Sequence, residues 1–156
     1  MSYRTMYDSV TAAEIPRTAT CVAGYSTGRY AWTPADWKLF PRATQARIDV
    51  NGSFPAGSDV LDVENGDATL GQVKAWIHAR VPHGRACIYT SRGNVEALSA
   101  ECAGMIGVDC FIADWTGVAH EVALPGNLHL VAVQYKNTPG YDVSAVYDEA
   151  WPGGEA

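Results

Sequence analysis

Short apolar stretches alternate with helix-like segments along most of this chain of 156 residues. Parallel strands joined by crossover helices produce such a rhythm, so it predicts an α/β fold. The length leaves room for one domain with one core, which we expect over residues 1–151, followed by a frayed tail over residues 152–156. Eight strands are expected, near residues 5–8, 20–25, 45–50, 59–64, 86–90, 110–115, 128–135 and 141–143.

Helix signals lie between the earlier strands and are missing from the last third of the chain. Caps and apolar periodicity predict helices over residues 33–40, 70–81 and 94–103. Residues 110–143 carry only strand and loop signals. The sequence therefore predicts a small, irregular TIM-like β/α barrel without helices in its C-terminal third. The connection over residues 50–59 is too short for a helical crossover, so either an extended loop returns the chain or the flanking strands pair antiparallel.

Charge and hydropathy exclude several classes of partner. The formal net charge is −6, whereas nucleic acids and anionic lipids bind surfaces on which Lys and Arg are clustered. No stretch approaches the ~20 apolar residues needed to span a membrane. We therefore expect no nucleic-acid partner and no membrane partner. A neutral or cationic polymer fits this composition better.

Cysteine and histidine show no metal-binding pattern. The four cysteines lack C-x-x-C spacing, and the four histidines have neither metal-ligand spacing nor the context of a catalytic triad. We expect packed thiols, no metal and no cofactor, although Cys102 and Cys110 lie close enough in sequence to form a disulfide. The first residues show no secretory signal, so we expect a protein that is cytoplasmic when made.

The strand expected at residues 59–64 ends with two acids on one face. Side chains alternate between the faces of a strand, so Asp62 and Glu64 point the same way, and Leu61 and Val63 point the other way. Two residues along a strand span ~6.6 Å, and at this separation the two carboxylates could flank a glycosidic bond. Acids this close cannot both ionise freely, which suits one of them to general acid catalysis. A strand-end D-x-E can equally cap a helix or pair with an arginine.

Two further aspartates stand near the ends of the first and last strands. Asp8 ends the first strand, and Asp142 lies near the last. Strand ends collect at one face of a barrel, so both are expected to converge with the D-x-E acids. Each aspartate alone also fits an ordinary turn or cap. Asp49 shares a polar strand face with Arg47, so it is either a further site residue or an internal salt-bridge partner of that arginine, and we favour the structural role.

Taken in order, these motifs resemble glycoside hydrolase family 25 lysozymes and the related glycoside-hydrolase-like domains of actinobacteria and their phages. The likeness covers residues 7–148. It is carried by Tyr7-Asp8-Ser9-Val10, Asp62-Val63-Glu64, Phe111-Ile112-Ala113-Asp114-Trp115 and Val133-Gln134-Tyr135, followed by Asp142. In that family helices follow only the first five strands, which agrees with the lopsided barrel. Val133 stands where the family has a tryptophan.

The resemblance implies cleavage of the β-1,4 bond after N-acetylmuramic acid in bacterial cell-wall polysaccharide. Glu64 would be the general acid, and Asp62 would stabilise the N-acetyl group of the substrate or the positive charge of the transition state. Asp8 and Asp142 would complete the catalytic set. Sugar rings stack on aromatic faces, and the residues expected to bind substrate are Tyr89, Trp115, Gln134 and Tyr135.

Two classes of function are open at this point. One is a muramidase-like enzyme directed at peptidoglycan, which the presence of all four acids favours. The other is a catalytically inactive barrel that decorates a phage virion or binds carbohydrate, which the loss of the tryptophan at Val133 favours. The first predicts release to the cell wall. The second predicts association with the virion and with other virion proteins.

Overall fold

Eight strands close into a barrel around a hydrophobic interior. The computed structural model describes residues 2–153. Neighbouring strands follow chain order, and the last pairs with the first. The strands are β1 (Arg4–Asp8), β2 (Cys21–Tyr25), β3 (Thr44–Asp49), β4 (Val60–Asp62), β5 (Cys87–Ser91), β6 (Val108–Ala113), β7 (Leu128–Asn137) and β8 (Asp142–Val146). The predicted α/β barrel is confirmed, with a strand at each of the eight expected places.

Strand β8 runs against the direction of the other strands. Strands β1 to β7 pair in parallel, whereas β8 is antiparallel to both β7 and β1. In the register of β1 with β8, Asp8 lies opposite Asp142. The first residue of β8 therefore reaches the same end of the barrel as the last residues of the parallel strands.

An extended loop joins β3 to β4. It contains a single 3-10 turn, Pro55–Gly57, and the two strands it connects are parallel, so the first of the two predicted alternatives is correct. The buried Asp49 carboxylate fixes this loop by accepting five hydrogen bonds. Its donors are the Thr27 hydroxyl, the Trp76 indole and the backbone N–H groups of Asn51, Gly52 and Phe54.

Arg47 is not the partner of Asp49, so the predicted pairing is wrong. The Arg47 guanidinium lies over the ring of Trp37, with its central carbon 4.2 Å from the ring centroid. Asp49 points into the β3–β4 loop, where the donors described above already satisfy it. The expected structural role of this aspartate therefore stands, with different partners.

Three short α-helices lie outside the barrel: α1 (Pro34–Trp37), α2 (Val73–Arg80) and α3 (Val95–Glu101). A capping box forms from Thr69 to Gln72, as the sequence predicts, and a second forms from Thr33 to Asp36, where the sequence predicts a capping hydroxyl and an acid in the first turn. Each helix is shorter than predicted because its ends are 3-10 or irregular turns. Within the part of the chain that is described, no helix follows β6, and none of the helices is long and apolar enough to span a membrane.

Alternation along the strands divides the hydrophobic residues between two sides of the barrel wall. In β4, Val60 belongs to the cluster inside the barrel and Leu61 to the cluster that α2 and α3 cover from outside. The next residue, Asp62, is therefore directed inward at the end of the strand. All four cysteines are buried free thiols. Trp151 packs inside the barrel, and residues 154–156 of the predicted tail lie outside the described residues.

Candidate active site

A pocket of about 200 Å³ opens at the end of the barrel where the parallel strands finish. All four predicted carboxylates line it. Asp8 ends β1, Asp62 ends β4 and Glu64 follows two residues later, while Asp142 begins the antiparallel β8. Strand direction thus brings acids together from three separate parts of the sequence.

A third carboxylate adjoins the D-x-E pair. Asp62 is only 4% exposed, whereas Glu64 is exposed at the pocket mouth. One carboxylate oxygen from each of Asp62, Glu64 and Asp67 lies within 4.8 Å of the other two. Asp67 belongs to the turn after β4, where its N–H donates to the Glu64 carbonyl at 3.0 Å. Asp62 Oδ1 is buried without a hydrogen-bond partner among the described residues.

Burial raises the pKa of each acid in the pocket, and repulsion from neighbouring acids adds to the shift for Asp8, Asp62 and Glu64. Burial raises the pKa of Asp8 to about 7, and the charge of Asp142 adds to this shift. Burial followed by the charge of Glu64 raises the pKa of Asp62, and partial burial followed by the charge of Asp67 raises the pKa of Glu64. The pocket therefore favours protonated carboxyl groups at higher pH than free acids would, as a general acid requires.

Gln134 links two of the acids to an aromatic side chain. Its Nε2 donates to Asp8 Oδ2 at 2.9 Å and to Asp142 Oδ2 at 3.4 Å. Its Oε1 accepts from the Tyr89 hydroxyl at 2.7 Å. Asn137 Nδ2 donates to the other oxygen of Asp142 at 2.5 Å. Both N–H groups of the Gln134 amide are thus engaged, and the amide holds Asp8, Asp142 and Tyr89 in fixed relative positions.

Two further cavities adjoin the pocket at the barrel mouth and share part of their lining with each other. One cavity is continuous with the pocket at Asp8 and Asp142. The other is continuous with it at Asp62 and Glu64 and reaches the half-exposed Tyr30. We call this continuous surface the acid groove. The carboxylates therefore line a surface that is larger than the pocket itself.

A solved lysozyme has the same fold. The chain is similar to a family GH25 lysozyme from Aspergillus fumigatus, with a TM-score of 0.59 over 94% of this chain and 95% of that chain. The two sequences are 15% identical, so the likeness shows the fold alone. No family model and no curated protein matches the sequence. The barrel is therefore of the GH25 lysozyme type, which is the fold that the resemblance implies.

The aromatic and amide residues expected to bind substrate divide between the two faces of the wall. Tyr89, Gln134 and Trp115 line the pocket, and Trp115 is 53% exposed at its mouth. Tyr135 packs against the cluster outside the barrel, so the structure does not bring it to the pocket. Consecutive residues of a strand face opposite ways, and Gln134 takes the inward direction.

The pocket is also lined by Tyr25, Ile48 and Phe111, and the adjoining cavity by Asp67; none of these four was among the expected site residues. Tyr25 is the last residue of β2, just as Asp8 is the last residue of β1, so its position at a strand end could have indicated a site residue. Phe111 points inward from β6 and forms part of the pocket lining. Asp67 follows Glu64 in a turn that contains Gly66, and nothing in the strand pattern indicates its direction.

Two clusters of described side chains have the spacing of metal ligands. One is the group of Asp62, Glu64 and Asp67 in the acid groove. The other, Asp109 with His129 and Asp148, is joined by Arg85, which donates to both aspartates. A guanidinium therefore already supplies positive charge to the second cluster.

Proposed function

We propose that this protein is a glycoside hydrolase of the muramidase type that acts on peptidoglycan. The proposal is carried by one observation: four carboxylates converge on one pocket at the end of the barrel where the parallel strands finish. Glycosidases use paired carboxyl groups, and barrel enzymes of this kind carry their chemistry at that end. The lysozyme fold of the structural neighbour supports a cell-wall polysaccharide as the substrate.

Glu64 is the acid best placed to protonate the leaving oxygen of the glycosidic bond. It is exposed to the groove, and partial burial with the charge of Asp67 raises its pKa. Asp62 lies deeper, where a negative charge would stabilise the oxocarbenium-like sugar or orient its N-acetyl group. This reaction needs a proton on Glu64 and a negative charge on Asp62, so it has to overcome the burial and the charge of Glu64 that raise the pKa of Asp62 to about 9.

The spacing of the pair favours retention of configuration at the anomeric carbon. Carboxylate oxygens of Asp62 and Glu64 approach within 4.8 Å, whereas inverting enzymes separate their carboxyl groups by roughly 6.5–9.5 Å to admit water. We infer a double displacement in which either Asp62 or the N-acetyl group of the substrate is the first nucleophile. Water then attacks from the side of the leaving group, with Glu64 acting as the base.

Digestion of purified peptidoglycan tests this proposal. We expect release of reducing ends, and proton NMR of the first product should show the β-anomer before mutarotation. Initial formation of the α-anomer would contradict the retaining mechanism. Binding to peptidoglycan without release of reducing ends would favour a carbohydrate-binding barrel that lacks catalysis.

A further inference from the structure

One short segment of chain carries three of the acids at the barrel mouth, Asp62, Glu64 and Asp67, which we call the acid cluster. Two backbone hydrogen bonds fold this segment back on itself. The Asp67 N–H donates to the Glu64 carbonyl at 3.0 Å, and the Ala68 N–H donates to the Asp62 carbonyl at 3.1 Å. One carboxylate oxygen from each acid lies within 4.8 Å of the other two. The backbone therefore holds three acidic side chains together before any ligand binds.

No positive side chain among the described residues pairs with the acid cluster. None of its three acids takes part in an ion pair there. Arg29 is the one cationic side chain among the described residues that line the acid groove, and it forms no ion pair with them. In the other cluster with metal-ligand spacing, Arg85 donates to both aspartates. The chain thus supplies a cation to that cluster and leaves the acid cluster without one.

The buried oxygen of Asp62 indicates what the acid cluster binds. Asp62 is 4% exposed, its carboxylate is directed at the other two acids, and its Oδ1 has no hydrogen-bond partner among the described residues. A buried charged oxygen without a partner is costly. Asp49 shows the usual solution, because five donors surround its carboxylate. A cation between the three acids would give Asp62 the positive partner that the protein does not supply.

We propose that Asp62, Glu64 and Asp67 bind a divalent cation, and that Ca²⁺ fits this site best. No histidine or cysteine is among the described residues that line the acid groove or the cavity beside Asp67, and carboxylate oxygens select Ca²⁺, Mg²⁺ and Mn²⁺. Opposite ligands of one Ca²⁺ lie ~5 Å apart and those of Mg²⁺ ~4 Å, so the oxygen spacing admits Ca²⁺ without rearrangement. Water would complete the coordination on the side where Glu64 is exposed.

A bound cation and hydrolysis exclude each other at this site. A glutamate that ligates a cation is held as a carboxylate, so it cannot protonate the leaving oxygen of a glycosidic bond. Ca²⁺ should therefore inhibit hydrolysis of peptidoglycan at concentrations that fill the site. This consequence rests on the proposed function, whereas binding of the cation does not.

Titration of the metal-free protein with Ca²⁺, followed by the backbone amide signals in NMR, tests the binding. It is done at about pH 8, because ligating acids must release their protons. Three carboxylates with water as the remaining ligands predict one site with a Kd of about 0.1–1 mM. Asp67→Asn removes one charged ligand and should weaken binding by about tenfold or more, and Asp67→Ser is a second such variant if the asparagine reduces folding.

Glu96→Gln is the matched control, because it removes a charge from the exposed surface of α3 and should bind Ca²⁺ like the parent. Absence of saturable binding by the parent below about 10 mM Ca²⁺ would overturn the proposal. Equal affinity of the parent and both Asp67 variants would overturn it as well.

Mn²⁺ locates the site, because a paramagnetic cation broadens the signals of nearby nuclei. At substoichiometric Mn²⁺ the amide signals of residues 62–68 should broaden first, and excess Ca²⁺ should reverse the effect. Broadening centred on Asp109 and Asp148, or spread over the acidic surface, would overturn the assignment. If Ca²⁺ binds at residues 62–68 and hydrolysis by the parent is unchanged, the cation site stands and the role of Glu64 as the general acid fails. If the parent hydrolyses nothing, the two binding experiments still decide the cation site.

Discussion

At the scale of single residues, two buried aspartates have opposite surroundings. Asp49 accepts five hydrogen bonds, whereas the Oδ1 of Asp62 has no partner among the described residues. Buried charge is stable when donors surround it and costly when they are absent. The hydrogen bonds of Asp49 therefore stabilise the fold. The surroundings of Asp62 are those of a functional residue, which lower the stability of the fold and favour reactivity.

The substitution Asp49→Asn is expected to destabilise the protein by about 2–4 kcal/mol, because the amide cannot accept from all five donors. Burial by itself would raise the pKa of Asp49, but the Phe54 N–H and the other donors lower it. A carboxylate with a lowered pKa contributes stability above its unfolded pKa of about 3.9, and that contribution is lost as the pH falls further. Urea unfolding between pH 3 and pH 7 should therefore show a weaker acid dependence in the variant. An equal loss of stability in Glu96→Gln would contradict this account.

Site residues could be predicted from the sequence where the alternation of side chains along a strand decides which way they point. Asp8, Asp62 and Glu64 follow from the ends of strands and from alternation. Asp67 does not, because it lies in a turn where no periodicity fixes the side-chain direction. Tyr135 was assigned to the pocket together with its neighbour Gln134, although adjacent residues of a regular strand face opposite ways.

At the scale of elements, the loop after β6 is closed by a histidine. His120 lies between two acceptors, with Nε2 2.7 Å from Asp114 Oδ2 and Nδ1 2.8 Å from the Val118 carbonyl oxygen. Donation from both ring nitrogens satisfies these two acceptors, so the arrangement favours the imidazolium form. Arg92 donates to the same carboxylate at 2.8 Å. These contacts hold the segment that carries Trp115 beside the pocket.

The loop should loosen as the pH rises. The hydrogen bond to Val118 raises the pKa of His120, burial opposes this in part, and Asp114 adds to the increase. A raised pKa contributes stability that is complete below the unfolded value of about 6.5 and is lost as the pH rises through the folded value. Protection of the Gly117 backbone N–H, which donates to the Tyr135 carbonyl at 2.8 Å, should fall across that range when exchange is compared with its intrinsic base-catalysed rate. His120→Gln should lower this protection at all pH values, whereas His78→Gln, on the exposed face of α2, should behave like the parent. Protection independent of pH in the parent would contradict this mechanism.

Among the elements, the strands were predicted more accurately than the helices or the directions of the strands. Apolar stretches mark strands strongly, so all eight were found near their expected places. The antiparallel direction of β8 was not predicted, because an apolar stretch of sequence does not indicate whether its strand is parallel or antiparallel to the neighbouring strands. The helices were drawn too long because 3-10 turns have the same apolar positions as the α-helical ends they replace.

At the scale of the whole molecule, the two ends of the barrel carry opposite kinds of electrostatics. At the end where the parallel strands begin, Arg85 donates to Asp109 at 2.8 and 2.9 Å and to Asp148 at 2.6 Å. The hydrogen bond from Arg85 lowers the pKa of Asp148. At the other end, the acids converge, and none of them forms an ion pair with another described residue. The ion pairs at the first end stabilise the fold, and the acids at the second end are available for chemistry.

Arg85→Gln is expected to destabilise the fold by about 3–5 kcal/mol, because two mostly buried carboxylates lose their shared cation. The activity of the molecules that remain folded should be unchanged, since the acid groove lies at the opposite end. Thermal unfolding and turnover per folded molecule measure the two effects separately. Loss of turnover without loss of stability would show that the two ends are coupled.

The most direct test of the proposed catalytic site is Glu64→Gln, assayed for peptidoglycan turnover and for its unfolding midpoint. Loss of the general acid should reduce turnover by about 100-fold to 10,000-fold. The amide has the same size and removes repulsion with Asp62, so the unfolding midpoint should stay the same or rise. A structural carboxylate would instead lose about 1–3 kcal/mol of stability on the same change. A less stable variant of a parent that is itself inactive would contradict the assignment of the acid groove as a hydrolase active site.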